Sequence, residues 1–377
     1  MNRHWIHRVW EHDGVFGKFL WTLFLPLAGV FGLGVRARSF GYRHGWMRPR
    51  SLRRPVISIG NLTVGGTGKT PASIWLANEL ERRGLSVAIL SRGHKRHATA
   101  PVILKPSMNG LDFSPAVVSA AGDEPTMMAE LYKKTVAVGR DRYHTGEDVL
   151  QKADVDVFIL DDGFQHRQLR RDIDIVLLGR EGPGFLLPCG PFREARDALK
   201  RGDYFLLTGP AHLWTEPLLK SKPDAACFSA FLDPVALVGF ASTSMKEHPL
   251  TMLYHSRILA VAGIANPDRL YEMIRTYEGD IVEILEYPDH HDYSAADWQH
   301  ITRAARQVDL VVTTEKDLVK LARFPFAKDK LLALRVAMKV EKGETLVNSI
   351  LTRLDGTVRQ PAPSRQTVTE TCDSPAV

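Results

Sequence analysis

Residues 55–71 read PVISIGNLTVGGTGKTP, and this stretch decides the fold. Its apolar run at residues 56–59 predicts a buried strand. The chain then breaks at Gly60-Asn61, passes through a glycine-rich loop and enters a helical pattern at residues 72–83. A strand, a glycine-rich loop closed by Gly-Lys-Thr and a helix are the context in which a phosphate-binding loop works.

The loop predicts a nucleotide site because its backbone N–H groups can surround phosphate oxygens. The helix N-terminus adds partial positive charge, Lys69 suits the β- and γ-phosphates, and the Thr70 hydroxyl suits Mg²⁺. Thr63 stands where the general pattern has glycine, and Val64 replaces the lysine of the signature-lysine variant. The alternative interpretation is a glycine-rich turn that happens to precede Lys-Thr. We expect ATP and Mg²⁺ as cofactors, with nucleotide-binding residues Thr63, Val64, Gly65, Gly66, Thr67, Gly68, Lys69 and Thr70.

The composition is that of a globular protein with a net positive charge. Apolar residues make up 44% of the 377 residues and charged residues 24%, which is ordinary for a soluble core. The length predicts two domains plus appendages. The net charge of +6 and the pI near 9.1 indicate an anionic neighbour: nucleic acid, anionic lipid or a phosphorylated substrate. Three scattered cysteines form neither a metal-binding spacing nor a disulfide framework, which fits a reducing compartment.

The N-terminal segment of residues 14–35 is apolar enough to associate with a membrane. Lys18 is its only charge, and the uncharged run at residues 19–35 has about the minimum length of a membrane span, roughly 17 residues. Seven arginines follow between residues 36 and 54, and such a flank marks the cytoplasmic side and attracts anionic headgroups. An interfacial anchor, a true span and a buried core helix all stay open. We expect the basic charge to face an anionic membrane surface and not nucleic acid.

Strand and helix patterns alternate from residue 56 to about 209. This alternation predicts an α/β fold of the P-loop NTPase type, with a mostly parallel sheet and helices on both faces. A bridging strand at residues 235–241 leads into a smaller C-terminal α/β domain. The predicted divisions are residues 1–54 for the membrane-associating helix and its basic flank, 55–234 for the P-loop core, 235–355 for the C-terminal domain and 356–377 for a disordered tail.

Two carboxylates follow the predicted buried strand of residues 155–160. Ligands of open α/β sheets bind at the carboxyl ends of the strands, and Asp161 and Asp162 stand at such an end. Mg²⁺ prefers oxygen ligands and usually takes one or two carboxylates together with phosphates. An acidic turn without a ligand is the alternative, and one of the two residues could be purely structural. The predicted metal ligands are Thr70, Asp161 and Asp162.

Other loops place acid–base groups and cations after predicted strands. Asp123, in Gly-Asp-Glu-Pro before a helix, is either an ordinary first-turn acid or a general base beside the γ-phosphate. Arg193 and Glu194 are either active-site residues or a structural salt bridge. His290 and His291 have no third ligand spaced for zinc, so a histidine that shares a proton with a carboxylate is the favoured interpretation.

Eight motifs together are specific enough to indicate a family. In this order they resemble the tetraacyldisaccharide 4'-kinases, the lipid A 4'-kinases of Gram-negative bacteria, from the N-terminal helix to about residue 355. The departures at His94, Cys189 and Phe192 leave the predicted site residues intact. The motifs are GNLTVGGTGKTP (60–71), SRG (91–93), GDEP (122–125), LDDGFQH (160–166), LPCGPFRE (187–194), AGIANP (262–267), PDHHDY (288–293) and TTEKD (313–317).

The resemblance implies a kinase at the cytoplasmic face of the inner membrane. It would transfer the ATP γ-phosphate to the 4'-hydroxyl of a tetraacyldisaccharide 1-phosphate, a lipid disaccharide, and so form lipid IVA. It implies that Asp123 is the base, paired with His290 in preference to His291. The alternative function is a membrane-bound P-loop ATPase switch of the partitioning or targeting type, against which Val64 and the candidate base count. The expected catalytic residues are Asp123, His290, Lys69, Arg193 and Glu194.

Overall fold

The described residues of the computed structural model form one sheet of thirteen strands. They are residues 9–93, 96, 98, 100–106, 114–182, 184–241, 244–264, 266–289, 291–326 and 330–355. The strands are β1 Val56–Asn61, β2 Val87–Ser91, β3 Val102–Leu104, β4 Val136–Val138, β5 Val157–Asp161, β6 Ile173–Leu178, β7 Tyr204–Leu207, β8 Ala226–Ala241, β9 Ser244–His248, β10 Arg257–Ala262, β11 Asp280–Glu286, β12 Leu310–Thr314 and β13 Leu331–Val340.

The sheet is mostly parallel, in the order β11-β10-β12-β13-β8-β7-β6-β1-β5-β2-β4-β3, with β9 paired to β8. The β3–β4, β8–β13 and β8–β9 pairs are antiparallel. The predicted α/β class is therefore confirmed. The helices are α1 Gly14–Arg43, α2 Lys69–Glu81, α3 Pro115–Ala121, α4 Asp123–Tyr132, α5 Arg142–Lys152, α6 His212–Ser221, α7 Asp268–Thr276, α8 Ala295–Ala304, α9 Glu315–Leu321 and α10 Gly343–Asp355.

The strand before the glycine-rich loop lies at the centre of the parallel region. Every residue of β1, β5 and β6 is buried, as expected for strands covered on both faces. Ile57 of β1 is paired with Ile159 on one side and with Ile173 on the other. Because β1 and β5 are parallel neighbours, the loop after β1 and the carboxylates after β5 lie at the same edge of the sheet.

The long strand β8 joins the two predicted α/β units. Its first residues pair in parallel with β7, and its later residues pair antiparallel with β13. The predicted bridging strand at residues 235–241 is thus the end of a sixteen-residue strand. Pro234, which cannot donate to a ladder, lies where the register with β13 shifts, a position that tolerates proline. The domain boundary at residues 234 and 235 falls inside this strand, and the division itself stays a prediction.

The N-terminal helix α1 is longer than the apolar segment and reaches Arg43. By length and composition it could cross a membrane. It is not a buried core helix, because most of its apolar side chains are exposed. It contacts the rest of the protein at separate points: the Cys189 Sγ–H donates to Trp21 O over 3.5 Å, and the Arg38 guanidinium donates to Gln165 O over 2.9 Å.

Candidate active site

The glycine-rich loop and the end of β5 line a cleft of about 860 Å³. One wall of the cleft belongs to the P-loop core and includes Ile74 and Trp75 of α2. The opposite wall belongs to the C-terminal part of the chain and includes Arg269 of α7 and Met338 of β13. The cleft therefore lies between the two predicted units, at the carboxyl ends of β1, β2 and β5.

The loop backbone has the conformation that its glycines permit. Gly65 and Gly68 have φ angles of 115° and 89°, in the left-handed region that favours glycine. A methyl group built on Gly65 or Gly66 would meet no atom within 4 Å, and both glycines line the cleft. The Thr67 hydroxyl is buried and makes no hydrogen bond to the described residues. The loop thus has the room and the unused donor that a phosphate group needs.

Lys69 is held over the loop by two acceptors. Its Nζ donates to Gly65 O and to Asn61 Oδ1, both over 3.2 Å, and lies 3.8 Å from Asp162 Oδ1. Asn61, the last residue of β1, also accepts a hydrogen bond from the Arg193 guanidinium. One amide at the end of the central strand therefore orients both Lys69 and Arg193.

The carboxylates near Thr70 are crowded, and Asp161 is buried whereas Glu124 is half-buried. Asp161 accepts a hydrogen bond from Ser73 Oγ over 2.9 Å, and the Thr70 hydroxyl donates to Glu124 Oε1 over 3.0 Å. Burial, followed by the charges of Glu124 and Asp162, raises the pKa of Asp161 to about 7. A cation would relieve this crowding. Among the described residues, no three His, Cys, Asp or Glu side chains are grouped so that they could hold a metal ion by themselves.

Asp162 differs from its neighbour because cations surround it. It accepts hydrogen bonds from Arg193 Nη1 over 3.2 Å and Nη2 over 3.0 Å. Burial alone would raise the pKa of Asp162, but the charges of Lys69 and Arg193 outweigh that effect and lower it to about 2. Asp162 is therefore a fixed anion that orients two cations facing the cleft.

Glu194 lies in a different environment from Arg193. Its carboxylate accepts two hydrogen bonds from the Arg201 guanidinium, over 2.8 and 3.0 Å. Arg193 lines the cleft, whereas Glu194 is absent from the described lining. Its predicted catalytic role stays a prediction, and this geometry favours the structural salt bridge that the sequence left open.

Asp123 begins α4; its neighbour Glu124 lines the cleft, whereas Asp123 itself, like Glu194, is absent from the described lining. Its Oδ2 lies 3.8 Å from the Nζ of Lys320 on α9, and this Nζ also donates to His291 O over 3.0 Å. Burial raises the pKa of Asp123, and the positive charges of Lys320 and Lys316 oppose the rise. Asp123 is thus a partly desolvated carboxylate with a cation beside it, as in many general bases.

The two adjacent histidines can be described only in part, because His290 lies outside the described residues. The His291 ring is stacked on Tyr287 with centroids 4.9 Å apart, and its Nε2 lies 3.0 Å from Asp297 Oδ2. Asp297 also completes the capping box of α8, in which Ser294 is the N-cap residue. His291 is therefore held inside the C-terminal part of the chain, and the pairing of Asp123 with His290 stays a prediction.

Three further residues shape this site and are not predicted from the sequence: Asn61, Ser73 and Lys320. Asn61 lies where the predicted strand at residues 56–59 breaks, directly before the glycine-rich loop. This position is the feature of the sequence that could have indicated its role in the site. Ser73 lies one helical turn after Lys69, where no pattern distinguishes it from other helix residues. Lys320 lies three residues beyond the TTEKD motif and reaches the site only through the packing of α9.

Comparison with known proteins identifies the family. The model for "Tetraacyldisaccharide-1-P 4'-kinase" (LpxK) matches residues 20–355. The chain belongs to the LpxK family. The tetraacyldisaccharide 4'-kinase of Syntrophus aciditrophicus (strain SB) is 37% identical, covering 91% of this chain and 96% of that protein. The enzyme of the same name from Pasteurella multocida (strain Pm70) is 31% identical, covering 93% and 97%.

A solved LpxK structure has the same fold. The crystal structure of "apo" form LpxK from Aquifex aeolicus in complex with ATP matches with a TM-score of 0.70 and 30% identity, covering 89% of this chain and 99% of that one. The expected P-loop NTPase-like fold, lipid A 4'-kinase activity and use of ATP are thereby confirmed. The ATPase-switch alternative is not favoured, because the curated relatives are named as kinases.

Proposed function

We propose that this LpxK family member transfers the γ-phosphate of ATP to the 4'-hydroxyl of tetraacyldisaccharide 1-phosphate within the cleft described above. The observation that carries the proposal is the presence, in one cleft, of the phosphate-binding loop with Lys69 and of the carboxylates of Glu124 and Asp161 close to Thr70. Phosphoryl transfer is catalysed mainly by positioning and by charge stabilisation, and these groups supply both.

The phosphate side of the reaction is assigned to the loop and its cations. The N–H groups of residues 63–70 would bind the phosphate oxygens, and Lys69 would stabilise charge on the β- and γ-phosphates. Arg193, held by Asp162, would add a second positive charge at the cleft. Thr70 and Asp161 would hold Mg²⁺, since their oxygens suit it and the charge of Asp161 is otherwise poorly compensated. When bound, the ion neutralises phosphate charge.

The acceptor side of the reaction is assigned to Asp123. As the bond between the 4'-oxygen and the γ-phosphorus forms and the bond from that phosphorus to the β,γ-bridging oxygen breaks, the hydroxyl proton would pass to the Asp123 carboxylate. ADP leaves with the bridging oxygen. The partner expected for Asp123 from the family resemblance is His290, and Lys320 is the cation described beside it.

The membrane association is assigned to α1 as an interfacial anchor. The contacts at Trp21 and Arg38 are 17 residues apart, which corresponds to about 25 Å along the helix axis. A helix held to the protein at two points this far apart, with its apolar side chains exposed between them, is better suited to lie in the interface than to cross the bilayer alone. We propose the cytoplasmic face of the inner membrane, where the arginine flank would meet anionic headgroups.

The activity is tested with ATP labelled in its γ-phosphate, Mg²⁺ and tetraacyldisaccharide 1-phosphate in detergent micelles. We expect label in the lipid with the wild type and with the surface control Lys220→Ala, and loss of that label with Lys69→Ala. Lys220 is an exposed residue of α6 paired with Glu216. Failure of the wild type to label the lipid, with ATP and acceptor both present, would refute the proposal.

The anchor is tested by sedimentation with vesicles that contain anionic lipid. Leu27 of α1 and Leu219 of α6 are matched, with exposed fractions of 57% and 58%. Leu27→Glu should weaken vesicle binding, because a charge on the apolar face is poorly solvated in lipid, whereas Leu219→Glu should leave it unchanged. Equal binding by both variants would contradict an anchor formed by α1.

A further inference from the structure

Lys320 is a buried cation that no motif in the sequence predicts. Lys320 is only 9% exposed and lies on the short helix α9. Burying an ammonium group is costly unless it is paired and hydrogen-bonded. Its partners include the backbone carbonyl of His291, at 3.0 Å, and the carboxylate of Asp123, at 3.8 Å. Asp123 is the candidate base, and His291 is adjacent in sequence to His290, the expected partner of that base.

The helix that carries Lys320 is firmly attached to the C-terminal part of the sheet. The fully buried Asp317 accepts hydrogen bonds from Gly263 N–H over 2.9 Å and from the Thr314 hydroxyl over 2.8 Å. In return, the backbone N–H of Asp317 donates to Thr314 Oγ1 over 3.2 Å. These bonds fix α9 to the ends of β10 and β12, so the position of Lys320 is set by the sheet and not by its own flexible chain.

The contacts of Lys320 connect the two sides of the cleft. Asp123 belongs to α4 of the P-loop core, whereas His291 and Lys320 belong to the C-terminal part. The 3.0 Å hydrogen bond to the His291 carbonyl fixes the ammonium within the loop that contains both histidines. The 3.8 Å separation from Asp123 Oδ2 brings the same charge to the candidate base.

We propose that Lys320 is a positioning residue of the kinase reaction, which holds Asp123 ionised and fixes it relative to the histidine loop. This inference rests on the proposed role of Asp123 as the base. Lys320 acts through Asp123 and is not assigned a contact with ATP or with the acceptor.

The charges that face Asp123 support this role. Positive charges come from Lys316 and Lys320 on α9 and from Arg323 just beyond it, and a negative charge comes from Asp292. Burial raises the pKa of Asp123, and Lys320 is the strongest of the charges that lower it again. A base must be deprotonated to act, so removal of this cation should move the acid limb of the pH–rate profile to higher pH.

The test compares pH profiles of kcat/KM for the wild type, Lys320→Met, Lys320→Arg and the control Lys220→Met. An opposite charge at this distance shifts a carboxylate pKa by about 1–3 units, so Lys320→Met should raise the acid limb by about that amount. Each unit lowers kcat/KM about tenfold at pH values below the limb. Lys320→Arg keeps the charge and should keep the limb near its wild-type position, as should Lys220→Met.

A double variant separates positioning from a purely structural role. If Lys320 acts through Asp123, then Lys320→Met combined with Asp123→Asn should be no slower than Asp123→Asn alone. Two results would overturn the inference. One is an acid limb that does not move in Lys320→Met, and the other is a double variant whose loss of kcat/KM equals the product of the losses in the two single variants. ATP-induced thermal stabilisation shows which variants fold, and Lys320→Gln replaces Lys320→Met if the latter does not. If the wild type fails to label the lipid, the proposed function fails instead.

Discussion

A methyl group at Gly66 should impair ATP binding without harming the fold. The Gly66 Cβ position faces open space, with no atom within 4 Å, and its φ lies outside the left-handed region. Gly66→Ala should therefore leave the free protein as stable as the wild type, or up to about 1 kcal/mol more stable through loss of unfolded-state entropy. For a chain of this length, that corresponds to an unfolding midpoint raised by no more than about 2 °C.

The same methyl group would occupy space beside the loop N–H groups, where phosphate oxygens are expected to bind. We expect ATP affinity to fall by at least about tenfold, which is about 1.4 kcal/mol. At an ATP concentration of 100 times the wild-type Kd, ATP stabilises the wild type by about 2.7 kcal/mol. A tenfold weaker variant would gain only about 1.4 kcal/mol at that concentration.

The assay is thermal unfolding with and without ATP and Mg²⁺. Gly29→Ala is the matched control, because a methyl there also meets no atom within 4 Å and Gly29 lies in α1, far along the chain from the loop. Gly66→Ala should lose about half of the ATP-induced stabilisation, and Gly29→Ala should lose none. A Gly66→Ala protein with the full ATP response would refute the assignment of the phosphate site to this loop.

Other substitutions test the fold and the site separately. Gly60→Ala should destabilise the protein by about 1–3 kcal/mol in urea unfolding, because its Cβ would lie 2.6 Å from Phe164 Cβ and 2.8 Å from Phe164 N; an unchanged midpoint would contradict this packing. Ser294→Ala should cost about 1 kcal/mol by removing the capping box of α8, with kinase activity at 25 °C retained. Glu194→Gln should destabilise by about 1–3 kcal/mol and leave KM for ATP unchanged; a large rise in KM would place Glu194 in the site. Since burial raises the pKa of Asp123, wild-type kcat/KM should rise with pH through a value above that of a free aspartate, and a profile limited at the free-aspartate pKa would argue against this base.

The parallel core could be predicted because its strands are buried on both faces. The continuous apolar runs of β1, β5 and β6 have that composition whatever lies around them. The first half of β8 was not predicted, because it is partly exposed, contains a proline and is defined by two different neighbours. Such a strand is stabilised by its pairing with other strands, so its own sequence carries little of the hydrophobic pattern by which strands are predicted.

The site could be predicted where function lies directly after a strand or in a glycine-rich loop. Asp161 ends β5, and Lys69 and Thr70 begin the helix after the loop that follows β1, so the parallel pairing of β1 and β5 brings them to one edge of the sheet. The raised pKa of Asp161 and the lowered pKa of Asp162 could not be predicted. They depend on Ser73, Glu124 and the cationic side chains that tertiary packing places beside the two carboxylates. Lys320 reaches Asp123 from nearly two hundred residues away in sequence, so only packing shows it.

The most direct test of the central claim measures ATP binding and phosphate transfer on the same sample of Asp123→Asn. The variant keeps the phosphate loop and should show the ATP-induced stabilisation of the wild type. Its transfer of labelled phosphate to tetraacyldisaccharide 1-phosphate should be slower by about 10²–10⁴-fold, the usual contribution of a general base. Transfer at the wild-type rate would contradict the account of the acceptor side of the cleft.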